Sequence, residues 1–87
     1  MGSASSQSGG HVIASPFDGT FHRAANPYDS PLVRVGDHVS EGSAVCTIEA
    51  MKLMNEIESD IDGTVVEILA TDGEAVEFGQ ALIVIRP

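Results

Sequence analysis

The chain has 87 residues, a length that allows one small domain. Thirteen acidic residues against four basic ones give a formal net charge of −9, which argues against nucleic acid as a partner because its binders need basic patches. No apolar run approaches the roughly 18 residues that suggest a membrane span. The single cysteine, Cys46, excludes an internal disulfide. We therefore expect an acidic domain in a reducing intracellular compartment, with neither a nucleic-acid nor a membrane partner.

The first ten residues contain Ser, Gly, Ala and Gln without an apolar pattern. Such a composition cannot bury enough surface to offset the entropy lost on ordering. The segment also lacks the basic start and apolar run of a signal peptide. We expect residues 1–10 to be a flexible tail or linker remnant and residues 11–87 to form the domain.

The domain contains an internal repeat. Residues 15–20 (Ser-Pro-Phe-Asp-Gly-Thr) recur at 59–64 with a shift of 44, whereas residues 36–45 recur at 73–82 with a shift of 37. The difference places seven extra residues in the first half, at 24–30 (Ala-Ala-Asn-Pro-Tyr-Asp-Ser). Asn-Pro marks a turn rather than a strand, so this insertion should protrude as a loop. Two copies are too few for a solenoid, and we expect two half-domains related by a pseudo-two-fold axis.

Short runs of Val, Ile, Thr and Phe, bounded by Asp-Gly, Glu-Gly and Phe-Gly, predict strands. In chain order the predicted strands are 12–13, 20–23, 44–49, 63–69 and 81–86. This pattern predicts an all-β fold, a flattened barrel or sandwich of two small antiparallel sheets. The expected core consists of Val12, Phe21, Val35, Val39, Val45, Ile48, Ile57, Val65, Ile68, Val76, Leu82 and Val84. Cys46 should face the core as a small hydrophobic residue.

Residues 49–59 allow two interpretations. Ala50, Leu53, Met54 and Ile57 follow the i, i+3, i+4, i+7 spacing of an amphipathic helix. This segment, however, joins the two repeats, and a repeat that ends in a strand should meet the next strand through a tight turn. We predict a hairpin with Met51 and Lys52 at its tip, because tertiary context commonly overrides local propensity.

The stretch Glu49-Ala50-Met51-Lys52-Leu53-Met54 resembles the modification motif of biotin carboxyl carrier domains, in which a lysine flanked by methionines lies on a β-turn. The resemblance extends over residues 11–87 and includes Gly19-Thr20-Phe21 and Asp62-Gly63-Thr64-Val65. Leu53 stands where many members have Met, and His22 where Tyr is frequent. The resemblance implies two four-stranded sheets with a biotinyl lysine at a hairpin tip.

The family's biotinylated lysine corresponds to Lys52, the only lysine in the sequence. An exposed turn offers no group that would activate the lysine amine, so a separate enzyme is needed to attach the biotin. The resemblance implies that this enzyme is a biotin protein ligase. Met51 is expected to be exposed and recognised by that ligase, with Ala50 and Leu53 as further recognition residues, and Glu49 is expected to serve either recognition or solvation. Met54 is expected to turn inward to the core.

The seven-residue insertion resembles the thumb of carriers from bacterial and plastid acetyl-CoA carboxylases, which carriers of pyruvate and propionyl-CoA carboxylases generally lack. The resemblance implies that thumb residues contact the biotin ring, and here they are Asn26, Pro27, Tyr28, Asp29 and Ser30. It also implies a non-catalytic carrier that moves a carboxyl group from a biotin carboxylase subunit to a carboxyltransferase subunit during fatty-acid synthesis. The expected location is the cytoplasm, or the plastid stroma in a plant.

Two other functions are compatible with the sequence. A lipoyl carrier domain shares the fold, although its lysine is usually preceded by Asp and followed by Ala. A protein-interaction module without a cofactor would tolerate replacement of its lysine. His11, His22 and His38 show no metal-ligand spacing and are expected on the surface.

Overall fold

The computed structural model describes residues 10–87, so the expectation for the N-terminal tail falls almost entirely outside the described residues. Within this range the chain forms strands and no helix, so it contains no helix able to cross a membrane. The strands are β1 (His11–Ala14), β2 (Gly19–His22), β3 (His38–Val39), β4 (Ala44–Ala50), β5 (Leu53–Glu58), β6 (Gly63–Ile68), β7 (Ala75–Val76) and β8 (Ala81–Arg86). All five predicted strands are present, and β5 is the second strand of the predicted hairpin, whereas the two-residue strands β3 and β7 were not predicted.

The strands form two four-stranded antiparallel sheets, with the orders β1-β8-β6-β3 and β5-β4-β2-β7. The sequence repeat relates β2 to β6, β3 to β7 and β4 to β8, and it leaves β1 as the counterpart of β5. When each strand in the order β1-β8-β6-β3 is replaced by its counterpart, the order β5-β4-β2-β7 results. The prediction of two sheets related by pseudo-two-fold symmetry is therefore confirmed.

The hydrogen bonds obey the same symmetry. Ser15 N donates to Gln80 O at 2.9 Å, and its counterpart Ser59 N donates to Ser43 O at 2.9 Å. Both serines are buried, so these bonds satisfy backbone groups that water does not reach. Each half-domain thus closes its first turn against the other half, and neither half completes its own hydrogen bonding.

The core lies between the two sheets. It contains the predicted residues Phe21, Val39, Val45, Ile48, Ile57, Val65, Val76 and Leu82 together with Cys46, and Ile68 packs against it while remaining partly exposed. The further members Ile13, Val33, Ala70, Ile83 and Ile85 were not predicted. Val84 is buried but stands apart from this cluster.

Two core assignments were wrong, because both Val12 and Val35 are exposed. In β1 the neighbouring Ile13 points inward, and alternation along a strand then turns Val12 outward. Val35 lies in the loop before β3, where the repeat aligns it with Asp72 of the second half. The buried positions of this segment are Val33 and its counterpart Ala70.

Candidate functional site

The hairpin of β4 and β5 presents the candidate site. The two strands pair antiparallel from Ala44 opposite Glu58 to Ala50 opposite Leu53, which leaves only Met51 and Lys52 in the turn. The hairpin prediction is confirmed and the helical alternative is wrong. The helical spacing fails because Ile57 reaches the core from a strand, and the cross-strand pairing supplies the backbone hydrogen bonds a helix would have made.

The turn places both central residues in the left-handed region, with φ of 53° at Met51 and 66° at Lys52. Positive φ at both positions is the type I′ arrangement, in which Asn-Gly is the usual sequence. A residue with a Cβ atom is disfavoured there by about 1–2 kcal/mol. Backbone strain of this kind clusters at functional sites.

The tip is open to solvent. Met51 is 94% exposed, Leu53 is 65% exposed, and Lys52 between them is exposed as well. No hydrogen bond or ion pair within residues 10–87 involves the Lys52 amine. The amine is therefore accessible to another protein, and no neighbouring side chain in the described part of the chain is placed to take its proton.

Cys46 offers the only thiol of the sequence, and it is completely buried on β4. Burial raises the pKa of this thiol to about 12. The thiol therefore stays protonated at neutral pH and does not act as a nucleophile. Among residues 10–87, no three side chains of His, Cys, Asp or Glu are grouped so as to hold a metal ion.

A groove of about 600 Å³ lies beside the hairpin, between the insertion at 24–30 and the outer face of the second sheet. Its lining residues are His22, Arg23, Ala24, Asn26, Pro27, Asp29, Pro31, Glu49, Met54 and Asp72. The structure therefore brings three of the expected thumb residues together with Glu49. Tyr28 and Ser30 are exposed outside this lining, and Tyr28 is fully exposed.

The insertion has its own hydrogen bonds. Asp29 N donates to Asn26 O at 3.1 Å, and Asn26 Nδ2 donates to Asp29 Oδ2 at 3.0 Å. Pro27 occupies the second position of this turn, where its fixed φ is favourable. At the base of the insertion, Leu32 N donates to Arg23 O at 2.8 Å. Closure of both the tip and the base gives the insertion a defined shape above the groove.

Met54 was wrongly expected in the core, and it is 40% exposed on the groove floor. It lies directly opposite Glu49, so the two side chains share one face of the sheet. Glu49 follows the core-facing Ile48 and must therefore point outward. A two-residue turn keeps this parity, which places Met54 outside as well.

Charged groups line the groove. His22 Nε2 lies 3.0 Å from Glu49 Oε1, and both side chains are partly exposed. Arg23 Nη2 donates to Val33 O at 3.2 Å, whereas Arg23 Nε is buried without a hydrogen-bond partner among the described residues. His22, Arg23 and Asp72 were not predicted to belong to the site. The first two immediately precede the insertion, which was a usable signal, but nothing local marks Asp72.

The family model described as biotin-requiring enzyme matches residues 11–85. The chain belongs to this family. Among its relatives is a biotin carboxyl carrier protein of acetyl-CoA carboxylase from Nostoc sp., which is 55% identical over 86% of this chain and 41% of its own length. The protein of the same name from Haemophilus influenzae is 49% identical over 95% of this chain and 54% of its own length. A chloroplastic carrier of Arabidopsis thaliana is 51% identical over 87% of this chain and 27% of its own length. This member of the biotin-requiring family thus spans about half the length of these relatives or less.

Two solved structures share the fold of this biotin-requiring family member, each with a TM-score of 0.75. One is a single-chain, multi-domain long-chain acyl-CoA carboxylase, 22% identical, matching 92% of this chain and 8% of its own. The other is the Kluyveromyces lactis urea carboxylase, 34% identical, matching 87% of this chain and 6% of its own. In both cases the fold found here is a small part of a much larger chain.

Proposed function

We propose that the chain is the biotin-accepting carrier domain of an acetyl-CoA carboxylase, with biotin attached to Lys52. The observation that carries the proposal is the position of the sequence's only lysine, at the exposed tip of a strained two-residue turn. Membership of the biotin-requiring family supports biotin as the cofactor, and the relatives named as acetyl-CoA carboxylase carriers support the subtype.

Attachment requires a separate biotin protein ligase. Lys52 Nζ attacks the activated carboxyl group of biotin, an amide forms, and the activating group departs. The ligase supplies the activated acyl group and removes the proton, because the turn contains no base near Lys52. Met51, Leu53, Ala50 and Glu49 surround the lysine and are the surface that the ligase would recognise. The two exposed apolar side chains, Met51 and Leu53, offer the larger contact area.

The biotinylated domain would act as a carrier and not as a catalyst. A biotin carboxylase subunit would carboxylate the biotin from bicarbonate and ATP, and a carboxyltransferase subunit would pass the carboxyl group to acetyl-CoA. Malonyl-CoA formed in this way supplies fatty-acid synthesis. The domain contributes a high local concentration of a tethered intermediate, as a linked module does. We place it in the cytoplasm, or in the plastid stroma of a plant.

The groove is the proposed resting place of the biotin ring. Glu49 lies three residues before Lys52, and three residues span at most about 11 Å even when the chain is fully extended. The lysine side chain and the acid chain of biotin together are long enough to fold back over this distance. Asn26, Pro27 and Asp29 would contact the ring from the thumb side. Tyr28 and Ser30 stand outside the groove lining and would reach the ring only if the thumb moved.

Incubation with biotin ligase, biotin and ATP, followed by intact-mass measurement, tests the attachment. We expect complete modification of the wild-type chain and none of Lys52→Arg, which keeps the charge at the tip. A lipoate ligase assay under the same conditions separates biotin from lipoate. An unmodified wild-type chain, or a modified Lys52→Arg variant, would overturn the proposal.

A further inference from the structure

Thr47 carries a hydroxyl group on a strand position that is almost completely buried. It precedes the core-facing Ile48 on β4 and therefore points to the outer face of the sheet, yet its exposure is only 1%. A hydroxyl taken out of water without a partner is unfavourable. Thr47 Oγ1 donates a hydrogen bond to Ala24 O at 2.9 Å, and His22 O is a more distant acceptor at 3.5 Å.

The second half-domain provides a comparison within the same chain. The repeat aligns Thr47 with Val84, which is also 1% exposed and also lies beside a core-facing isoleucine. The position is therefore buried in both halves, and an apolar side chain of the same shape satisfies it. The half with valine has no insertion. The half with threonine uses its hydroxyl to hold Ala24, the first residue of the insertion.

We propose that Thr47 is a positioning residue that anchors the root of the thumb to the sheet and so sets the height of the thumb above the groove. The inference rests on the proposed function, in which the thumb restrains the biotin. A second anchor lies next to it, because Arg23 N donates to Asp72 Oδ1 at 2.8 Å. Loss of the Thr47 hydroxyl should therefore loosen the thumb without releasing it.

Thr47→Val tests this anchor, because it keeps the shape of the side chain and removes the donor. Thr47→Ser is the rescue variant, since it keeps the hydroxyl. Thr64→Val is the matched control: Thr64 lies on β6, and no hydrogen bond of its hydroxyl is found among the described residues. Each 87-residue chain is biotinylated by the ligase and then used as the substrate of biotin carboxylase.

Two readouts separate anchoring from general stability. We expect equal ligase rates for all four chains, but a drop of roughly three- to tenfold in kcat/KM for carboxylation of Thr47→Val, as for the loss of one hydrogen bond. Amide relaxation of Asn26 and of residues 28–30, which unlike Pro27 carry an amide hydrogen, should show greater mobility in Thr47→Val only. The Thr47→Ser and Thr64→Val chains should behave as wild type.

Unchanged carboxylation or unchanged thumb mobility in Thr47→Val would overturn the inference, as would failure of this variant to fold, since the hydroxyl would then serve the sheet itself. None of these results bears on Lys52. The proposed function fails separately, if the wild-type chain does not accept biotin.

Discussion

Replacing Gly63 by alanine should destabilise the fold through one identifiable collision. A Cβ atom at this position would lie 2.5 Å from Arg86 O and 2.7 Å from Ile85 Cγ2. One of these atoms belongs to the backbone of the central strand β8 and cannot rotate away. Overpacking of this kind typically destabilises by about 1–3 kcal/mol, and a backbone collision belongs at the upper end. The reduced entropy of the unfolded chain offsets about 0.4–1 kcal/mol.

We therefore expect Gly63→Ala to lower the free energy of unfolding by about 2 kcal/mol, which for a domain of this size lowers Tm by roughly 8–16 °C. The pseudo-symmetric Gly19→Ala should lose a similar amount, because its Cβ would meet Glu49 O at 2.5 Å and Ile48 Cγ2 at 2.6 Å. Only Gly19→Ala disturbs the strand that leads to Lys52. It should also slow the ligase at temperatures where both variants are folded.

Urea denaturation followed by circular dichroism measures both losses of stability. Ligase rates of the two variants are then compared at a temperature 20 °C below the lower of their two Tm values. A loss below about 1 kcal/mol for Gly63→Ala would refute the collision, because it would fall below the range of overpacked cores. Equal ligase rates for the two variants would refute the link between Gly19 and the hairpin.

Three further predictions follow from the tip, the thumb and the thiol. Met51→Asn should raise the free energy of unfolding by about 0.5–1 kcal/mol in urea titration, because Asn tolerates positive φ better than Met; a loss of stability would contradict the strain at this turn. Deleting residues 24–30 should leave a folded chain that the ligase still modifies, because the second half-domain closes the same connection without these residues. Biotin carboxylase should use this chain poorly, and an unchanged carboxylation rate would show that the thumb has no role in carboxylation. Cys46 should resist a thiol reagent at pH 8 until urea unfolds the chain. Because its pKa is raised to about 12 in the folded state, its contribution to stability should be complete below the unfolded thiol pKa and be lost as pH rises toward 12, and Cys46→Ala should flatten this part of the profile.

The repeat made most of the fold predictable. It located the halves, the strands and the junction at Met51 and Lys52, where local helix propensity pointed elsewhere. The strands β3 and β7 were missed because two residues are too few for a periodic signal. Each pairs with a single neighbouring strand, and nothing in the sequence identifies which strand that is.

The side-chain directions were less predictable than the strands. In the run His-Val-Ile-Ala of β1, either Val12 or Ile13 could face inward, and only pairing with β8 decides between them. Met54 required the length of the turn to be known before its face could be assigned. The groove was invisible to the sequence, since it joins Asp72 to residues about 45 positions earlier through tertiary contacts alone.

The most direct test of the carrier role is a two-stage transfer of labelled carboxyl. The chain is biotinylated, incubated with biotin carboxylase, ATP and ¹⁴C-bicarbonate, separated from small molecules, and then given to carboxyltransferase with acetyl-CoA. We expect label on the wild-type chain after the first stage and in malonyl-CoA after the second, with neither for Lys52→Arg. Label that never reaches the chain, or that stays on it when acetyl-CoA and carboxyltransferase are present, would contradict the account.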